Sequence, residues 1–146
     1  MPAQAALALP GDAATSVDRR DPAVRKRLTG PALHGFFAAT DRWRLTNEQR
    51  RNLLGYPAAS TYFHWKKGAH NVLSVDQLER VSLVLGIYKA LRLIFADDAT
   101  GDAWLTAANT DPVFGGRSPL ERMLGGSIDD LYAVRRYLDA WRGGWG

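Results

Sequence analysis

The sequence predicts an all-α protein: an N-terminal helix-turn-helix bundle followed by a small helical second domain. Three observations predict it. Apolar residues recur at three-and-four spacing, as in Val75, Leu78, Val81, Leu85 and Tyr88, which is helical period. Helix-capping sequences recur along the chain, among them Ser74-Val75-Asp76-Gln77 and Ser118-Pro119. No stretch alternates apolar and polar residues over a useful length, and there is neither an internal repeat nor a coiled-coil heptad.

Taken in order, residues 1–18 are Ala-rich with no apolar periodicity and read as a flexible arm. Asp21 is placed to cap a short helix with Pro22 at its first position, inside a basic cluster of Arg19, Arg20, Arg25, Lys26 and Arg27. A separate core helix is expected from Pro31 to Trp43, with Leu33, Phe36, Phe37 and Trp43 as its apolar stripe. Thr46 caps the next helix, whose end is buried by Leu53 and Leu54 and stopped by Gly55. Pro57 precedes a short helix carrying Ser60 to Lys67, which stops at Gly68. The box at Ser74 and Gln77 opens a long helix, in which Gly86 marks a break or a close-packing point before Ile87 to Phe95. Helical sequence at Asp102 to Thr106 and a turn through Pro112 and Gly115-Gly116 follow. Ser118 with Pro119 opens another helix, and Ser127 a last one reaching about Trp141. The expected divisions are 1–18 (arm), 19–95 (helix-turn-helix domain), 96–142 (second domain) and 143–146 (free tail).

The 146 residues suffice for one medium domain or two small ones. At 46% hydrophobic and 23% charged, the composition is that of a globular protein. No apolar run is long enough for a membrane span, and the N-terminus lacks signal-peptide organisation. The absence of cysteine excludes disulfides and thiolate metal sites. A cytoplasmic protein without cofactor or metal is the expectation. The net charge of +4 conceals an asymmetry. Residues 1–95 hold 14 Lys and Arg against 7 Asp and Glu, a net of +7, whereas residues 96–146 hold 5 against 8, a net of −3. A basic half suits a phosphate backbone.

A DNA-reading helix needs polar and basic groups on one side and an apolar face on the other. The segment after Pro57 offers both. Ser60, Thr61, His64 and Lys67 share three-and-four spacing and form the expected reading face, with Tyr62 beside it. Arg50, Arg51, Lys66 and His70 are the expected phosphate contacts. Tyr62, Phe63 and Trp65 cannot share one buried face, so one of the three is expected outside.

From Leu28-Thr29-Gly30-Pro31 through Leu53-Leu54-Gly55, Ser60-Thr61-Tyr62, Trp65-Lys66 and Leu73 to Leu91, the chain resembles the Xre-like helix-turn-helix of the Xre/MbcA/ParS antitoxins. Ala103-Trp104-Leu105, Asn109, Phe114-Gly115-Gly116-Arg117-Ser118-Pro119-Leu120 and the helix after Ile128 resemble their C-terminal toxin-binding domain. The resemblance spans residues 28–142. One departure is that Tyr56-Pro57-Ala58-Ala59 separate Gly55 from Ser60. The resemblance implies an antitoxin that covers the active site of a RES-domain toxin, an enzyme that consumes NAD or transfers ADP-ribose from it. It also implies repression of the antitoxin's own operon through promoter DNA, and a homodimer suited to a palindromic operator. A stand-alone helix-turn-helix repressor with a C-terminal dimerisation domain is the alternative.

Trp and Arg are favoured at interface hot spots. Tyr137, Leu138, Trp141, Arg142, Trp145 and Gly146 are therefore the expected toxin contacts. Trp104, Leu105 and Phe114 read as core of the second domain, and Gly115-Gly116 lacks the Lys-Ser/Thr of a nucleotide loop. An enzyme is not expected: three scattered histidines and no cysteine offer no nucleophile and base in reach, and no His-Glu-x-x-His spacing exists.

Overall fold

The computed structural model describes residues 18–143. Among these there are seven helices and no strand. They are α1 (Pro22–Arg42), α2 (Asn47–Leu53), α3 (Ala59–Lys66), α4 (Val75–Ile94), α5 (Asp98–Thr106), α6 (Pro119–Met123) and α7 (Ile128–Arg142). The all-α expectation holds. The arm and tail fall almost wholly outside the described residues.

Most helix starts are fixed by local side chains. Asp21 accepts from the Ala23 N–H and Asp97 from the Thr100 N–H. Thr46 with Gln49, Ser74 with Gln77, Ser118 with Glu121 and Ser127 with Asp130 close reciprocal capping boxes. Each satisfies N–H groups that helix geometry leaves without partners. The exception is α3: its N-cap is Ala58, which has no side-chain acceptor.

Two expectations need correction. The separate helices at Asp21 and Pro31 are one helix of 21 residues, with Pro31 in its interior. A proline there removes a hydrogen bond and costs about 3 kcal/mol. Burial of Leu28, Ala32, Leu33 and Phe36 on both sides of it works against that cost. Thr29 adds a tie, donating to the Arg25 carbonyl at 2.7 Å and accepting from the Leu73 N–H at 3.1 Å. The buried face of α4 also differs. Val75 is exposed and Leu85 and Tyr88 are half-buried. Leu78, Val81, Val84, Ile87, Ala90 and Leu91 are the residues sealed inside. Ser82 and Leu83 are buried too, so the middle of α4 is covered on most sides and no single stripe describes it.

The described residues fall into two compact units that divide inside α4, between Leu85 and Gly86. The core of the first unit comprises Leu33, Phe36, Leu53, Leu54, Tyr62 and Leu73 with the first half of α4. The core of the second comprises Leu105, Phe114, Met123, Leu131, Val134 and Leu138 with the second half. Gly86 does not break the helix. The Arg135 guanidinium lies over it, in the space a Cβ would take. In the first unit, Gly55 and Tyr56 adopt left-handed backbone with φ of 83° and 58°, which turns the chain out of α2. Arg51 braces this turn by donating from Nε and Nη2 to the Pro57 carbonyl at 3.2 and 3.0 Å.

Capping accounts for the helix starts, so it sets opposite expectations at two positions. Ser118→Ala should lower stability to urea unfolding by about 1 kcal/mol, because it leaves the Glu121 N–H without its acceptor. Ala58→Ser should raise it by several tenths of a kcal/mol, because it supplies the cap that α3 lacks.

Candidate functional site

With no cap, α3 is placed by what it buries. Tyr62 and Trp65, one helical turn apart, are its two buried residues. The Tyr62 ring lies 5.8 Å from that of Phe37 and 5.0 Å from that of Phe63. Its hydroxyl donates to Oδ1 of Asn47 at 2.7 Å. That same oxygen accepts from Lys66 Nζ at 3.0 Å and from Arg50 Nη1 at 3.3 Å. One amide carbonyl at the start of α2 thus holds the middle and the C-terminal end of α3. Burial pushes the Tyr62 phenol above its ordinary pKa of 10.0, so it stays a neutral donor. Trp65 Nε1 donates to Asn71 Oδ1 at 2.9 Å, which fixes the chain leaving α3.

This inward packing sorts the residues expected at DNA. Ser60, His64, Lys66, Lys67 and His70 are exposed and Thr61 is half-buried. Two others point inward. Tyr62 is 0% exposed and belongs to the core. Arg50 is buried, with Nε donating to Thr40 Oγ1 at 2.9 Å and Nη2 paired with Asp41. Both enter the site as positioning residues, because a side chain that is enclosed and hydrogen-bonded has no surface to offer a base. Arg51 is half-buried and spent largely on the Pro57 carbonyl. Of the three aromatic residues, Phe63 is the one outside, at 43% exposure. Sequence reasoning missed Asn47. The available signal was a polar residue directly after the capping Thr46, with no indication of which side chains would converge on it.

The second unit carries a cluster of five rings. Trp104 lies at its centre, stacked on Tyr137 at 6.0 Å and edge-on to Phe114 at 5.8 Å and Trp141 at 6.0 Å. Phe95 completes it, 5.4 Å from Trp141. Phe114 is buried and the other four rings are half-buried. Burial and the neighbouring Asp111 carboxylate, which accepts from its hydroxyl, raise the Tyr137 pKa above 10.0. The expected toxin contacts separate accordingly. Leu138 is fully buried and is core, so it presents no surface to a partner. Trp141 packs on its own unit, leaving part of its ring outward. Tyr137 is likewise half-buried, while Arg142 is exposed, 3.6 Å from Asp139. Trp145 and Gly146 lie outside the described residues.

The acidic excess of this half is spent locally. Asp97, Glu121 and Asp130 serve helix caps. Asp98 and Asp102 flank Arg92, at 3.5 and 2.9 Å. Burial works against the charge of Arg92, and the hydrogen bonds it donates to Asp102 and Tyr88 outweigh that cost, raising its pKa. Among the described residues, no group of three His, Asp or Glu could hold a metal ion, and no helix is long and apolar enough to cross a membrane.

Comparison with known proteins places each unit. Residues 20–86 match the family model described as the antitoxin Xre-like helix-turn-helix domain. Residues 90–144 match the one described as the antitoxin Xre/MbcA/ParS C-terminal toxin-binding domain. The chain is 46% identical over 112 residues to protein y4oB of Sinorhizobium fredii, an uncharacterised protein, covering 77% of this chain and 84% of that one. No solved structure matches it.

The Asn47 junction makes a direct prediction. Asn47→Ala leaves a buried phenol and a buried guanidinium short of an acceptor, and should cost about 1–3 kcal/mol in urea unfolding. Asn47→Asp keeps the acceptor and should retain most of the stability. Equal losses in the two variants would contradict this role.

Proposed function

The chain belongs to the Xre/MbcA/ParS family of antitoxins, and from that premise we propose that it neutralises a toxin encoded beside it and represses its own operon. The sidedness of α3 carries the DNA half of the reading. Tyr62 and Trp65 turn inward, and Ser60, Thr61, His64, Lys66 and Lys67 are left on or near the surface. Short hydroxyls and an imidazole suit base edges and phosphate oxygens, and the two lysines suit the phosphate charge. A homodimer would present two such helices to the halves of a palindromic operator.

The second unit carries the toxin half. Its exposed groups lie beside a partly open aromatic cluster, and rings of this kind act as anchors at protein interfaces. The proposed partner is a RES-domain toxin that consumes NAD or transfers ADP-ribose from it. Inhibition is by coverage of the toxin's active site, with Tyr137, Trp141, Arg142 and the segment through Trp145 and Gly146 contributing contacts. The antitoxin itself performs no chemistry and acts in the cytoplasm. The proposed working division follows the two compact units, residues up to Leu85 for DNA and those from Gly86 for the toxin.

The two activities should separate by mutation. Thr61→Ala combined with Lys67→Ala should weaken promoter binding at least about tenfold and flatten its salt dependence. Neutralisation of the toxin should stay at the wild-type level. Unchanged promoter affinity would show that α3 reads DNA through another face or not at all. Deleting Arg142 to Gly146 should have the converse effect, weakening neutralisation and sparing promoter binding. Equal loss of both activities would contradict a role for the C-terminal segment in toxin contact.

A further inference from the structure

Four of the five arginines after residue 95 are committed within the unit. Arg122 Nε donates to Asp130 at 3.0 Å and its Nη1 to the Val113 carbonyl at 2.8 Å. Arg135 pairs with Asp139 at 3.1 Å, Arg136 with Asp129 at 3.5 Å and Arg142 with Asp139 at 3.6 Å. Arg117 is exposed, and its guanidinium has no hydrogen-bond or ion-pair partner among the described residues. The sequence describes an acidic half, yet the charge it leaves uncommitted on this loop is positive.

The loop that carries Arg117 is tied down along its length. The Asn109 N–H donates to the Arg117 carbonyl at 3.0 Å, and the Gly116 N–H returns to the Asn109 carbonyl at 2.8 Å. The Arg117 N–H donates to the Phe114 carbonyl at 3.0 Å. Asn109 and Asp111 side chains accept from the N–H groups of Asp111 and Val113, both at 3.0 Å. Gly115 and Gly116, with φ of 59° and 87°, make the left-handed turn that allows this closure. Below it the Phe114 ring is buried against Tyr137, 4.9 Å away. The next residue, Ser118, is itself buried in a capping box. The backbone of Arg117 is therefore held on both sides while its side chain is free. A fixed backbone lowers the ordering cost of an interface contact, and a guanidinium recognises a carboxylate through two parallel hydrogen bonds.

We propose that Arg117 is a specificity-determining contact of the toxin-binding unit, presented by the rigid 109–117 loop to a carboxylate on the surface of the toxin. The inference rests on the antitoxin reading and sharpens it. It gives the partner's docking surface an acidic residue opposite Arg117, beside an apolar patch that meets the open edges of the Trp104 cluster.

The test uses the full-length chain and the protein encoded beside it, carried as a catalytically silent variant, with affinity measured by calorimetry at two salt concentrations. Arg117→Ala should weaken binding about 30-fold, the range of a hot-spot arginine. The affinity that remains should depend less on salt. Arg117→Lys should recover part of the loss, and Arg117→Glu should bind more weakly than Arg117→Ala. The melting temperatures of all three should match wild type, because the side chain has no partner among the described residues. Wild-type affinity in Arg117→Ala overturns the proposal while leaving the antitoxin reading intact. Failure of the wild-type chain itself to bind overturns both.

Discussion

The outward face of α3, proposed to read DNA, depends on one small junction, the Oδ1 atom of Asn47. The α3 helix has no side-chain cap and only eight residues, too few to be stable by itself. Its position is set by inserting Tyr62 and Trp65 into the core and by the hydrogen bond from the Tyr62 hydroxyl to Asn47. Asn47 is in turn held by α2, which begins in the capping box at Thr46. Arg50, fastened to Thr40 and Asp41, joins the end of α1 to the same point. The outward face of α3 is thus the far side of a polar cluster. The residues that would touch DNA owe their direction to residues that would not.

Arginine has a comparable place in both units. The chain has no cysteine, and its described residues offer no metal site. Guanidinium groups instead tie loops to helices at several positions. Arg25 donates to the carbonyls of Arg19, Arg20 and Leu73, Arg51 to that of Pro57 and Arg122 to that of Val113. Several donors on a planar fork let one side chain satisfy more than one carbonyl at a loop. This use of charge explains why net charge by half-chain is a poor guide to the surface. Most of the acidic groups after residue 95 are caps or partners of arginines, and the exposed guanidinium of Arg117 is what remains.

Helix starts were legible in the sequence because capping is a local matter. Asp21, Thr46, Ser74, Ser118 and Ser127 each act within three residues of themselves. The continuity of α1 through Pro31 was not legible, since the burial that offsets a proline comes from other helices. The α4 face was misread for the same reason: a periodic stripe assumes one buried side, and the middle of this helix is covered on most sides. The inward turn of Arg50 and Tyr62 depends on partners 10 and 15 residues away, beyond any local pattern. Phe63, Tyr62 and Trp65 show the intermediate case. Their spacing required one ring to be outside, but only the packed structure says which.

One chain is proposed both to restrain a neighbouring toxin and to read DNA. The most direct test is co-expression of the full chain with the protein encoded beside it, followed by co-purification and measurement of cellular NAD. The neighbour alone should deplete NAD and arrest growth, and the chain should restore both while forming a stable complex. A neighbour that is harmless by itself, or one that remains toxic without forming a complex, would contradict that proposal.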